Sequence, residues 1–551
     1  MTTAVEKVVK FSDDALDLID SKGANDLFND EFKNIKKNIQ KIAWRSKKIQ
    51  QSADRNAAIS VYGPSQAGKS FLASVLVRPT DKPLKISFPG NSGNKEYISE
   101  INPSGDRECT GLVTRFTIGS HHQNADYPIQ LRLLSELDII CILINSYFSD
   151  GEQRFENHKS ESDLTKYLDS IDEINEKPTK SIAKQDFWEI EEYLRDNFPN
   201  SSYATSLIPF LDKISERAVR TNISFKAQLY APFWGLHNEF TNLFIRMMEA
   251  LERLDFSNEL YAKEEALIPK TTSIIDVQIL KDVTSEDDEY ISVQCPNGNG
   301  HKITRSLLSA ITAELVLNVS DVPHNFMRHT DVLDFPGARN REPRNLKDHF
   351  KTFEEDGNKI HEYLIRGKVA YLFQKYVNSQ DINAMLLCIK HSNMEAVGLT
   401  TVVERWIQNS IGQNAEARTG QNNSFFFVMT FFDQHLVDTA ANENETDRFT
   451  RRIYSSLLEK FGTLPDSWPL AWSKSNKKSL PFDNCYWLRN PGVAQSYFTR
   501  ANGIEELTST EVENKRILQI QNMHSKTPQV AKHFKKPDEA WQAVMKENDG
   551  G

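Results

Sequence analysis

Apolar and polar positions alternate along this chain with a period that changes from one stretch to the next. Ala57-Ala-Ile-Ser-Val-Tyr62 is a short apolar run that predicts a buried strand, and Ser70-Phe-Leu-Ala-Ser-Val-Leu76 carries apolar residues at helical spacing. Upstream, Ile35, Ile39, Ile42 and Ile49 form a stripe between lysine-rich faces, so residues 1–56 read as helical. That stripe is expected either against the core or in a helical neck completed by helices from the C-terminal end. Its basic face is then solvated or touches anionic lipid. From Ser149 to about Lys270 the chain becomes charged and helical, with helices expected over 163–177 and 186–198. Leu236, Phe240, Leu243, Phe244, Met247, Leu251 and Leu254 recur there at three- and four-residue steps. Strand patterns return at 272–280 and 290–295, with a turn at Pro296–Gly300, and again at 331–335, 382–389, 424–432 and 484–488. No internal repeat or low-complexity tract interrupts them.

This order predicts an α/β chain. An N-terminal helical neck occupies 1–56, a nucleotide-type domain 57–148 and 271–500, a helical insertion 149–270, and a C-terminal helical segment 501–551. A length of 551 residues supplies a large core, and an apolar content of 39% with 26% charged residues is that of a globular protein. A net charge of −10 argues against non-specific nucleic-acid binding. Five cysteines (109, 141, 295, 388, 485) without C-x-x-C spacing form neither a disulfide framework nor a zinc site, and fit a reducing cytosol. The N-terminus lacks a signal-peptide core, and the best apolar run, Leu137–Asn145, is too short to span a bilayer. A cytoplasmic protein is expected, with any membrane contact peripheral.

Between the first strand and helix lies Gly63-Pro64-Ser65-Gln66-Ala67-Gly68-Lys69-Ser70, which fits the phosphate-loop pattern G-x-x-x-x-G-K-[ST] without mismatch. In such a loop the backbone N–H groups and the helix N-terminus, opened here by Ser70 and Phe71, converge on phosphates. Lys69 would reach the β- and γ-phosphates and the Ser70 hydroxyl would ligate Mg²⁺. The alternative is a glycine turn that binds nothing. Asp334-Phe335-Pro336-Gly337 ends a later strand as a metal-side D-x-x-G switch should, with the Gly337 N–H facing the γ-phosphate, although an ordinary turn shares this chemistry. Ala338–Arg344 would be the mobile second switch, its arginines either solvated or available to transition-state charge. A first switch needs a threonine over the metal, and the 109–117 segment offers Thr114, with Thr110 as rival. Base recognition falls to Thr430-Phe431-Phe432-Asp433. Asp433 would read the base edge, or else cap a strand end, and the aromatic Phe431 stands where a guanine reader of the [NT]-K-x-D type has lysine. Trp487–Pro491 would supply a final base-side loop.

The segment Gly111-Leu-Val-Thr-Arg115 resembles the G-[IV]-V-T-R of dynamin-type GTPases, and the loop and D-x-P-G motif resemble theirs, with Ser65 and Gln66 exchanged in order. Together, GPSQAGKS, TGLVTRFT, LDFPGAR, the insertion between switches, YWLRNP and the terminal AWQAVMKENDGG resemble the SrfC-like putative bacterial virulence-factor family over most of the chain. The resemblance implies a bacterial, dynamin-like P-loop GTPase fold. It assigns Ser70, Thr114 and Asp334 to Mg²⁺ and Lys69 and Thr114 to catalysis. The nucleotide, with GTP expected, goes to residues 63–71 together with Asp334, Gly337, Thr430 and Asp433. Members of the family continue past the terminal motif, so the resemblance also implies a truncated or split form that lacks an effector region. The functional expectation is a GTP-hydrolysing switch or mechanoenzyme in virulence or defence, completed by a nucleotide-dependent homodimer or a partner protein. A nucleotide-gated toxin component in which hydrolysis is incidental, and an ATPase, stand as alternatives.

Overall fold

The apolar run at 57–62 forms a strand whose Val61 and Tyr62 are buried on opposite faces, with Ile59 partly buried, as suits the interior of a parallel sheet. In the computed structural model it is β1 (Ala57–Tyr62) of an eleven-stranded mixed sheet. The other strands are β2 (Val113–Thr117), β3 (Ile129–Leu133), β4 (Glu259–Ala262), β5 (Tyr290–Gln294), β6 (Gly300–Thr304), β7 (Thr312–Asn318), β8 (Thr330–Asp334), β9 (Ala384–Ile389), β10 (Phe425–Met429) and β11 (Cys485–Trp487). Their order across the sheet is β11-β10-β9-β1-β8-β2-β7-β3-β4-β5-β6. The strands from β11 to β8 run parallel, β2 pairs antiparallel with β8, and the pairings from β7 through β6 are antiparallel. The structure describes the whole chain except residues 1, 21–29, 54, 80–81, 91–92, 104–109, 121, 172–177, 180, 270, 321–323, 339–340, 352–358, 392–397, 437–446, 491–496, 502–503, 508–510 and 547–551.

Helices cover the sheet. The apolar 137–145 run lies inside α4 (Glu136–Asp150), which begins at a reciprocal Ser135–Asp138 capping box and is almost wholly buried. No helix among the described residues is long and apolar enough to cross a membrane. The expected insertion supplies the helices Asp186–Asn197 and Asn238–Arg253, the latter burying Phe240, Leu243, Phe244, Met247 and Leu251 as its spacing requires. It is not purely helical, because β4 comes from it and joins the main sheet. The apolar side chains of sheet and insertion form one continuous core.

Three expectations need correction. The 272–280 run is not a strand. Asp276 accepts a hydrogen bond from the Gln278 N–H at 2.8 Å and turns the chain into a 3-10 helix over Val277–Asp282. The N-terminal helices α1 (Thr2–Asp20) and α2 (Asp30–Ala53) do form, but α2 sets its charged face against the insertion. Lys37, Lys41, Arg45 and Lys48 pair with Asp212, Glu191, Glu192 and Glu189 of the insertion, while Ile35 and Ile42 stay about half exposed. The basic face therefore pairs with carboxylates of the insertion while remaining partly solvated, with Arg45 57% exposed. The C-terminal stretch is not only helical. It starts with a hairpin (Phe498–Ala501 with Ile504–Leu507), and its later helices bury Phe534 and Trp541 against Trp487 and Phe432.

Candidate phosphate-loop site

β1 runs between two parallel neighbours, β8 and β9, and its carboxyl end opens into the glycine loop. Gly63 has φ +146°, and a Cβ there would lie 2.2 Å from the Cys388 carbonyl oxygen of β9, so the loop can leave the sheet only with glycine. Gly68 has φ +81° with open space around it, so its requirement is conformational alone. Between them Gln66 also adopts a positive φ of 57°. Lys69 opens α3 (Lys69–Val77), is only 7% exposed, and donates from Nζ to the Pro64 carbonyl at 2.8 Å. The ammonium is thus folded over its own loop. Ser70 and the partly exposed Phe71 follow in the first helical turn, and Leu72, Ala73 and Val75 anchor the helix in the core.

The Asp334 carboxylate ends β8 and is 2% exposed, level with Val61 on one side and Thr114 of β2 on the other. Thr114 lies within the strand, buried beside Tyr97, whose phenol accepts from Asn102 at 3.1 Å. Burial and the Asp334 charge both push that phenol well above its ordinary range. The rival Thr110 lies outside the strand, bridged to Asp276. Cys388 registers the local field. Burial pushes its thiol up to about 12, the Lys69 charge pulls it down and the Asp334 charge raises it, so lysine and aspartate act on the same point.

The chain after Gly337 lies along the phosphate loop. The Ala338 N–H donates to the Gly63 carbonyl at 3.1 Å, and the Ser65 N–H donates to the Ala338 carbonyl at 3.2 Å. Arg339 and Asn340 fall outside the described residues. Arg341 is neither solvated nor at the loop. Its guanidinium donates to Asn145 Oδ1 at 2.6 Å and to the Arg366 carbonyl at 2.7 Å, and lies 3.5 Å from the buried Asp150 carboxylate at the end of α4. Arg344 pairs through its backbone with Asp150 and Glu152 and through its side chain with His349. One segment therefore connects the glycine loop to the start of the insertion.

Further along the same sheet edge, Thr430 donates from N and Oγ1 to the Ile389 carbonyl at 2.9 and 3.2 Å, tying the end of β10 to that of β9. Phe431 is held at φ +60° and is 37% exposed, an uncommon backbone for an aromatic residue. Asp433 is 3% exposed and accepts from the Asn490 N–H at 3.0 Å, which brings the turn after β10 and the loop after β11 together. Sequence reading named that loop but not this bond, nor the Cys388 and Asp150 contacts, because each joins residues distant in the chain. The oxygen set of Ser70, Asp334 and Thr114 suits a hard cation such as Mg²⁺. Among the described residues no cluster of histidine, cysteine, aspartate or glutamate could hold a metal by itself.

The architecture defines a mixed α/β protein with a phosphate-loop sequence at the carboxyl end of a central strand. The chain belongs to a family described as "putative bacterial virulence factor", whose model matches residues 15–551. No curated protein matches it.

Proposed function

We propose that this protein binds a purine nucleoside triphosphate, with GTP favoured, together with Mg²⁺. It would act as a dynamin-like GTPase switch or mechanoenzyme in a bacterial virulence or defence setting. The observation that carries the reading is the meeting of the Gly63–Ser70 loop, Lys69 and Asp334 at the carboxyl end of β1, where strand order diverges to either side. Ligands of open α/β sheets bind at such a point. Lys69 would leave the Pro64 carbonyl for the β- and γ-phosphates. Ser70, Asp334 and a first-switch threonine, Thr114 or Thr110, would hold Mg²⁺, which neutralises phosphate charge when bound.

The Ala338 bridge supplies a lever for switching. A γ-phosphate arriving at the loop competes with the Ala338 carbonyl for the Ser65 N–H, and a released Ala338 moves a segment that Arg341 ties to Asp150. Asp433, oriented by the Asn490 N–H, would read the base edge while the exposed Phe431 ring covers its face. The same Phe431 favours a second reading as an ATPase, since stacking does not discriminate between purines. A nucleotide-gated toxin component uses the same loop without needing turnover.

Calorimetry with non-hydrolysable GTP and ATP analogues, on wild-type and Lys69→Ala protein, tests the proposal. GTP-analogue binding that disappears in the variant, with its circular dichroism unchanged, is expected. Equal affinity in the two proteins would remove the phosphate-loop reading, and equal affinity of the wild type for both analogues would move the assignment to an ATPase.

A further inference from the structure

A cavity lies at the far edge of the sheet, on β6, the seventh strand out from β1. At about 4.8 Å per strand that is roughly 30 Å from the glycine loop. The cavity holds about 550 Å³, enough for a small metabolite. One wall is a face of the Asn238–Arg253 helix, which presents Arg246, Glu249 and Arg253 at successive turns, and the other is β6, with His301, Lys302 and Thr304.

Three buried polar atoms on these walls find no protein partner: Arg246 Nε, His301 Nε2 and Thr304 Oγ1. Thr304 is 7% exposed, so its hydroxyl has no bulk water in place of a partner. Buried polar atoms are usually satisfied, so these three leave hydrogen-bonding capacity in the cavity walls that a bound group can use. The neighbouring charges are uncommitted as well. Arg246 spends one N–H on the Ser285 carbonyl at 2.9 Å, and among the described residues neither Arg253 nor Lys302 forms an ion pair with Glu249 or Glu286. Two arginines, a lysine and a hydroxyl converge as donors on an acceptor-rich anion, while the two glutamates can accept from hydroxyl groups.

We propose that this cavity is a binding site for a small phosphate ester of a polyol. Its phosphate is held by Arg246, Arg253, Lys302 and Thr304, and its hydroxyls face Glu249 and Glu286. The site is separate from the phosphate loop and does not depend on the function assigned to that loop.

Titration calorimetry of the full chain and of its Lys69→Ala variant with ribose 5-phosphate, and with ribose as the uncharged control, tests it. Ribose 5-phosphate is expected to bind both proteins with equal affinity, and ribose to bind neither. Arg246→Gln should weaken binding at least tenfold. The Arg253→Gln/Lys302→Gln double variant, which changes only exposed side chains and should keep the fold, should do the same. Absence of binding to either protein overturns the proposal. So does binding that disappears with Lys69, or binding that survives the double variant unchanged.

Discussion

Asp433 carries the question of base identity. Its carboxylate is buried and already accepts from the Asn490 N–H, a bond that fixes its direction and also explains a purely structural aspartate. The two roles separate on substitution. If Asp433 reads guanine, Asp433→Asn should move preference from GTP toward xanthosine triphosphate by at least about two orders of magnitude, since unpaired buried polar groups discriminate steeply. A uniform loss of all nucleotides, or of thermal stability alone, in competition binding would leave the residue a strand-end cap. Lys69 differs in kind. Its ammonium donates to the Pro64 carbonyl within the loop, so Lys69→Ala removes that contact together with the cation, and the unchanged circular dichroism expected of the variant separates loss of binding from loss of fold.

Among the elements, Ala338 and Arg341–Arg344 join the glycine loop to α4, and Arg341 lies 3.5 Å from the Asp150 carboxylate there. Burial pushes the Asp150 carboxyl up, and Arg341 and Arg366 draw it back toward ionisation. Arg341→Met leaves that buried carboxylate with Arg366 alone. Removing one partner of a buried pair costs about 3–5 kcal/mol, and Arg366 should hold the loss to the lower part of that range. Urea unfolding should show the loss, and an unchanged midpoint would mean that the contact contributes nothing. None of this was legible from local pattern. The glycine loop was, because its chemistry fixes the residue type at each position, and so were the strands at 290–295, 331–335 and 382–389, whose apolar runs lie between turn residues. The 272–280 run misled because apolar side chains bury equally well in a turn, and Asp276 decided between turn and strand. β2, β3, β4 and β7 escaped notice, since their partners lie far away in the chain, and β6 did so because its edge run Gly300–Thr304 is mostly polar and partly exposed although it pairs with the nearby β5. The apolar stripe of α2 was seen, but which face would pack was set by acidic residues of the insertion that no periodicity reveals.

At the scale of the whole molecule, buried histidines make stability depend on pH. Burial, with Arg452 adding to it, holds the His391 imidazole down to about 4, and burial alone does the same for His524. The unfolded chain binds these protons near pH 6.5 and the folded chain only near pH 4, so stability present above 6.5 is lost as pH falls toward 4. The urea midpoint should drop across that window, and more weakly in His391→Gln. A flat profile would mean that the two imidazoles are not held neutral by the fold.

Turnover asks for more than the described residues of one chain offer to the function proposed for it. Hydrolysis needs a water held in line and charge neutralised between the β- and γ-phosphates. Ser70, Lys69 and Asp334 are suited to metal and phosphate, but Ala338 stands where a water-orienting glutamine could follow Gly337, and its backbone is bound to Gly63 and Ser65. Arg341, the described arginine nearest that position in the chain, is committed to Asp150 and Asn145. For the proposed function, groups that the described residues do not offer would come from a second copy that meets the loop face and orders both switches, or from a partner protein. On the first route, specific GTPase activity should rise with enzyme concentration, and GDP with aluminium fluoride should shift the light-scattering mass from monomer to dimer. Activity strictly proportional to protein, with a monomer under both conditions, would exclude self-pairing. It would leave a slow switch whose catalytic group is supplied by another protein.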